Sequence, residues 1–232
     1  MQAVIDEFTA LHNDKKFSEA HKLICDAIEK RSMHDPELFW RRAMVCRDLA
    51  MSKGKADKGA YKKYVNEGLQ ASEEGLKVDP DNAKCNSWYG VFLNYVSELE
   101  GIKKRIENSY KMKDHWLKAI ASDPNDDTTL HALGRWCFEV TDLPWIQRKI
   151  AQAFFSTPPT STYEEGLKYL LDSEKKSESA YAGNDLYLAK TYQRLGDKEN
   201  AKRYCEKVLS NSGDDLETEQ AKKEVASIIK SL

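Results

Sequence analysis

No apolar run in this 232-residue chain approaches the roughly 20 residues that a membrane-spanning helix needs. The first residues carry charge from Asp6 onward, which is neither a secretory leader nor an Arg-rich transit sequence. The five cysteines, Cys25, Cys46, Cys85, Cys137 and Cys205, are scattered without a close pair. That spacing offers no disulfide framework and no zinc motif, and it fits a reducing compartment. Neither charge sign dominates: 36 Lys and Arg stand against 38 Asp and Glu, so the whole-molecule field does not indicate a nucleic-acid binder. Catalytic signatures are missing too. There is no phosphate-cradling glycine loop, no GxSxG elbow and no HExxH. His131 and Cys137 lie six residues apart, on different faces of one helix, which argues against a Cys–His nucleophile pair. These absences imply a chain that is not an enzyme, with no catalytic residues, no metal and no cofactor.

Few helix breakers are present either, with six prolines and eleven glycines, and Ala, Leu, Lys and Glu are abundant. What is there is a repeated spacing. Phe8, Ala20, Ile24 and Ala27 are separated by 12, 4 and 3 residues, and so are Ala189, Ala201, Cys205 and Val208. In the second copy the turn reads Leu195-Gly196-Asp197, a helix-ending glycine followed by a helix-capping aspartate. Small residues at these offsets let two antiparallel helices approach closely. The pattern predicts tetratricopeptide-type hairpins and hence an all-α, tetratricopeptide-like α-solenoid.

The expected organisation is one domain over 1–232, with degenerate repeats at about 2–34, 36–80, 82–124, 126–178 and 181–213 and a capping helix over 215–231. The middle repeats are stretched. Met44 to Gly68 is 24 residues and Gly90 to Met112 is 22, where the end repeats use 12. Gly134 to Gly166 is 32 residues, enough for an inserted helix around 143–155 and a loop over 156–162.

The stretch His131–Trp145, HALGRWCFEVTDLPW, the following RKIAQAFFSTPPTSTYEEGLKYLLDSEKKS and the closing YLAKTYQRLGDKENAKRYCEKVL resemble the regulator of microtubule dynamics family. The resemblance spans roughly residues 35–232 and is strongest from 126 onward. It implies a tetratricopeptide-like helical domain associated with microtubules and spindle organisation. Some vertebrate relatives carry a membrane anchor and sit at organelle contacts, where the same domain is linked to lipid binding. This chain, without such an anchor, looks like a short soluble member, expected in the cytoplasm, on the cytoskeleton and at the spindle and its poles.

Outgoing helices of stacked hairpins line a groove. Projecting the repeat phase places Arg41, Asn94, Tyr95, His131, Arg135, Phe138, Lys190 and Arg194 there, with Asp48 and Glu139 as opposing charges. A modestly basic groove suits an acidic peptide, such as the C-terminal tails of tubulin, or another protein's acidic segment. The bland reading is that these cations pair with neighbouring carboxylates and solubilise the face. An anionic lipid is the alternative occupant, which would need an apolar cavity walled by Phe154 and Phe155. A second basic patch, Lys103, Lys104, Arg105 and Lys111, fits a solvated helix face better than a docking site. Of Trp40, Trp88, Trp116, Trp136 and Trp145, four fall at packing positions and are expected in the core.

Overall fold

A computed structural model describes residues 1–53, 57–154, 159–213 and 215–232. Among them there are twelve helices and no strand: α1 (Gln2–Asn13), α2 (Phe17–Glu29), α3 (Pro36–Lys53), α4 (Lys58–Val78), α5 (Ala83–Glu100), α6 (Ile102–Ser122), α7 (Asp127–Thr141), α8 (Trp145–Phe154), α9 (Tyr163–Lys176), α10 (Ala182–Leu195), α11 (Lys198–Ser210) and α12 (Leu216–Ser231). Each expected hairpin is present, the stretched middle repeats being long helices and the insertion being α8. Phe155 and the 156–158 part of the expected loop lie outside the described residues, as does the side chain of Phe154.

Local chemistry starts these helices. Asp57, Asn82, Thr162, Asp197 and Asp215 each accept a hydrogen bond from the backbone N–H three residues on, satisfying a donor that the first turn leaves open. Gly196 ends α10 at φ 80°, a left-handed conformation that glycine adopts without a Cβ penalty.

The chain forms two compact units, Met1–Asp123 and Pro124–Leu232. In the first, α1 to α6 pack each on the next, and α3 also touches α5. Phe8, Ile24, Leu38, Phe39, Val45 and Leu49 fill the seam of the first three helices. Ala43, Tyr61, Val65, Phe92 and Val96 fill the next seam. In the second unit α7 packs on α9, α9 on α10, α10 on α11 and α11 on α12, while α10 also touches α7 and α12. Leu170, Leu188, Tyr204, Val208 and Val225 form its core. This pattern of each helix packing on its neighbour, with α3 beside α5 and α10 beside α7 and α12, is that of stacked hairpins.

The α7–α9 approach depends on two glycines. A Cβ on Gly134 would stand 2.6 Å from Cγ of Leu170 and 3.0 Å from the Gly166 carbonyl oxygen. Among the described residues α8 does not pack on a neighbouring helix to the extent of this ladder; its Ala151 is buried, and Trp145 and Ile146 at its start are 70% and 66% exposed. Of the other tryptophans, Trp116 and Trp136 are buried and Trp40 and Trp88 half-buried.

Candidate functional site

The eight groove candidates divide between the units, so each set is described within its own. In the first unit, Arg41 lies one turn after Glu37 on α3. Its guanidinium stacks over Trp40 at 4.0 Å and pairs with the Glu37 carboxylate at 2.5 Å, leaving little of the side chain exposed. Tyr95 packs edge-on against Phe92, with ring centroids 5.9 Å apart, and Asn94 is half-buried beside it. On the same projected phase, Nε2 of His12 meets Oδ2 of Asp48 at 2.7 Å, joining α1 to α3.

The second unit carries its candidates on α7 and α10, with α12 packed beside α10. Spacings of three, four and seven residues put Arg135, Glu139 and Asp142 along one side of α7 and its C-terminal end, and Tyr187, Lys190 and Arg194 along one side of α10. Tyr187 sits at the centre. The Arg135 guanidinium stands 5.3 Å and the Lys190 ammonium 4.9 Å from its ring centroid, both within cation–π range. Its hydroxyl donates to Oε1 of Glu139 at 2.8 Å, and the same oxygen accepts from Nε of Arg135 at 2.8 Å. Burial raises the Tyr187 phenol well above its ordinary value, and the Glu139 carboxylate adds to this.

The remaining cations are matched one by one. Lys190 pairs with Glu224 of α12 at 2.5 Å. Arg194 grips Asp142 with two hydrogen bonds of 2.6 and 3.0 Å, and the Tyr163 hydroxyl donates to the same carboxylate at 2.7 Å. The Arg194 guanidinium holds Asp142 below the usual carboxylate range. The sequence projection set these cations against Asp48 and Glu139 alone; the folded unit adds Asp142 and Glu224, so the face alternates in charge rather than being basic.

Two candidates lie beneath this face. His131 is buried, with Nδ1 3.0 Å from Oδ1 of Asn184, whose Nδ2 donates to the Leu170 carbonyl. Asn184 is thereby an acceptor for His131, which places the ring proton on Nδ1. Desolvation pulls the imidazole down to about 4, so His131 is neutral at pH 7 and offers a partner no charge. Tyr181 and Tyr187 pack edge-on against it at 4.8 and 5.9 Å. Phe138, only 7% exposed, packs against Tyr163 and Tyr187. Both support Tyr187 from below. Tyr187, Asp142, Tyr163 and Glu224 were not among the sequence candidates. The seven-residue spacing of Tyr187 and Arg194 on one helix side could have found the first of these; the other three come from separate elements and carry no such signal.

The second basic patch lies along α6, where Lys103, Arg105 and Lys111 are exposed and Lys104 stands 3.7 Å from Glu107. Among the described residues, no helix is long and apolar enough to cross a membrane.

Comparison with known proteins adds a lineage to this geometry. A family model described as Regulator of microtubule dynamics protein 1-3 matches residues 4–232. The chain is 32% identical to Regulator of microtubule dynamics protein 1 of Bos taurus over 231 residues, 99% of this chain and 71% of that protein. The protein of the same name from Mus musculus is 35% identical over 214 residues, covering 92% of this chain and 70% of its own length. Among solved structures, a thermophilic TPR protein of Thermus thermophilus superposes with a TM-score of 0.64 at 13% identity, covering 99% of this chain and 98% of that one. At that identity the likeness concerns the fold alone.

Proposed function

The chain belongs to the regulator of microtubule dynamics family, and from that premise we propose that it is a non-catalytic, microtubule-associated adaptor whose α7–α10–α12 face takes acidic segments of its partners. The observation that carries this reading is the set of exchangeable ion pairs around Tyr187. Arg135, Lys190 and Arg194 each hold an internal carboxylate, and Arg135 and Arg194 remain 37% and 48% exposed. An exposed pair of this kind contributes about 0–1 kcal/mol. A partner's carboxylate therefore replaces Glu139, Asp142 or Glu224 at little net cost. Affinity comes from engaging several cations at once, with the half-buried Tyr187 ring and the buried Phe138 and His131 beneath it keeping them in place. The acidic tails of tubulin are the partner this chemistry and the family together favour, with the cytoskeleton and spindle as the sites of action.

The test is co-pelleting of the purified chain with microtubules, intact and with the acidic tails removed, across a salt series. Pelleting should be lost with the tails, fall steeply with salt, and drop at least tenfold in Arg135→Glu/Arg194→Glu, about 1.4 kcal/mol or more. Equal pelleting of tail-less microtubules would sink the acidic-tail reading, and an unaffected double variant would remove the face. No pelleting at all would exclude direct tubulin binding.

A further inference from the structure

The proposed face leaves unused a cluster in the other unit, where α2, α3 and α4 converge. His21 and Cys25 are one turn apart on α2, Cys46 lies on α3 and Glu67 on α4. Nε2 of His21 stands 2.7 Å from Oε1 of Glu67. Sγ of Cys25 is 3.6 Å from that nitrogen and 3.9 Å from that oxygen. One donor atom from each of His21, Cys46 and Glu67 lies within 4.8 Å of the other two. Cys46 is fully buried, and the His21 and Glu67 side chains are only 19% and 15% exposed. Arg42, one turn before Cys46, donates to the same Glu67 oxygen at 2.8 and 3.0 Å.

A Cys–His–carboxylate group suggests a nucleophile, but the geometry is wrong for one at Cys25, and Cys46, which also hydrogen-bonds His21, is fully buried. In a relay the thiol and the carboxylate engage opposite nitrogens of the ring. Here both approach Nε2 most closely, and the Cys25 sulfur is farther from Nδ1, at 3.9 Å. The donor atoms of His21, Cys46 and Glu67, each within 4.8 Å of the other two, lie close enough to share a central ion.

The donor types narrow the ion. Imidazole, thiolate and carboxylate together suit a borderline-soft divalent metal, and sulfur excludes calcium and magnesium. Around tetrahedral zinc, with bonds of about 2.0–2.3 Å, neighbouring donor atoms stand about 3.2–3.8 Å apart. The Cys25 separations from His21 and Glu67, 3.6 and 3.9 Å, are already close to this. The His21–Glu67 pair has to open by about half an ångström to match that spacing. Zn²⁺ with two thiolates and one carboxylate carries a net charge of −1, which the Arg42 guanidinium offsets. Arg42 would remain as the outer partner that orients Glu67.

We propose that His21, Cys46 and Glu67, with Cys25 as fourth donor, form a zinc site that fastens α2, α3 and α4 to one another. The scattered cysteine spacing conceals it because the donors are 4, 21 and 21 residues apart and come from three helices. The role is structural, since four protein donors leave no open position for a reacting water.

The test uses Co²⁺ as a spectroscopic probe on the full chain after stripping with chelator. The expected result is one Co²⁺ per chain with a thiolate-to-metal charge-transfer band, displaced by equimolar Zn²⁺. Affinity should fall at least tenfold in His21→Gln and in Cys46→Ala and stay unchanged in Cys205→Ala, a cysteine of the other unit. Because Cys46 is buried and its replacement risks unfolding the chain, Cys25→Ala at a half-buried position provides a second reading, with the band weakened and helicity retained. Absence of the band in the wild-type chain overturns the proposal, as does a band unchanged in both His21→Gln and Cys25→Ala. Neither outcome touches the pelleting experiment, which concerns residues of the other unit.

Discussion

The hairpins α1–α2 and α10–α11 share one spacing and differ in almost everything else. All eight residues of the 12, 4, 3 pattern are buried in both. In the first hairpin Phe8 and Ile24 supply the bulk. In the second the corresponding places hold Ala189 and Cys205, and the volume is filled by Tyr204, stacked on Tyr192 with ring centroids 5.6 Å apart. The turns differ as well. Gly196 takes the left-handed conformation without strain, whereas the first hairpin puts Lys15 there at φ 56°. Asp197 caps α11 through the Asn200 N–H, while no side chain caps α2. The hairpin therefore tolerates poor turn chemistry as long as its packing positions are kept, because packing carries several times the energy of a turn.

The comparison can be broken hardest at the seam. Phe8→Ala should destabilise the first unit by about 3–5 kcal/mol, seen as an earlier urea midpoint, because a fully buried ring leaves a cavity. A loss below about 1 kcal/mol would show that the seam does not hold the hairpin.

Next come the turns, where the two hairpins should respond with opposite signs. Lys15→Gly should stabilise by up to about 1 kcal/mol, and Gly196→Ala should destabilise by about 1–2 kcal/mol. Melting temperatures of the two variants check this; shifts of the same sign would refute the contrast.

The smallest effect concerns Asp142. Arg194 lowers its pKa in the folded chain, so the pair contributes stability that is present above the unfolded value of about 3.9 and lost as pH falls through the folded one. With Arg194 half exposed, Asp142→Asn should cost less than about 1 kcal/mol at pH 7. The difference from wild type should vanish at acid pH, and a difference that grows on acidification would contradict the assignment.

The legible part of the fold was the part written in short-range signals. The seam residues announced the hairpins, the Gly196-Asp197 pair announced a turn, and the stretch from Gly134 to Gly166 announced an extra helix. The candidate face was legible only as far as each helix in isolation allows. Projecting α7 put His131 beside Arg135 in the groove, but Asn184, 53 residues away, encloses it with Tyr181 and Tyr187. The projected cations were found on the face, yet Asp142 and Glu224 approach Arg194 and Lys190 across 52 and 34 residues.

By itself the sequence determined the helical hairpins, their order and the family to which the chain belongs. Helical hydrogen bonds, caps and apolar spacing all act within four residues, or across one hairpin turn. Tertiary structure alone decided the charge of the α7–α10–α12 face, the neutrality of His131 and the meeting of His21, Cys46 and Glu67. Those depend on which side chains of separate helices come within 3 to 5 Å, and helix crossing sets that distance after the chain has folded.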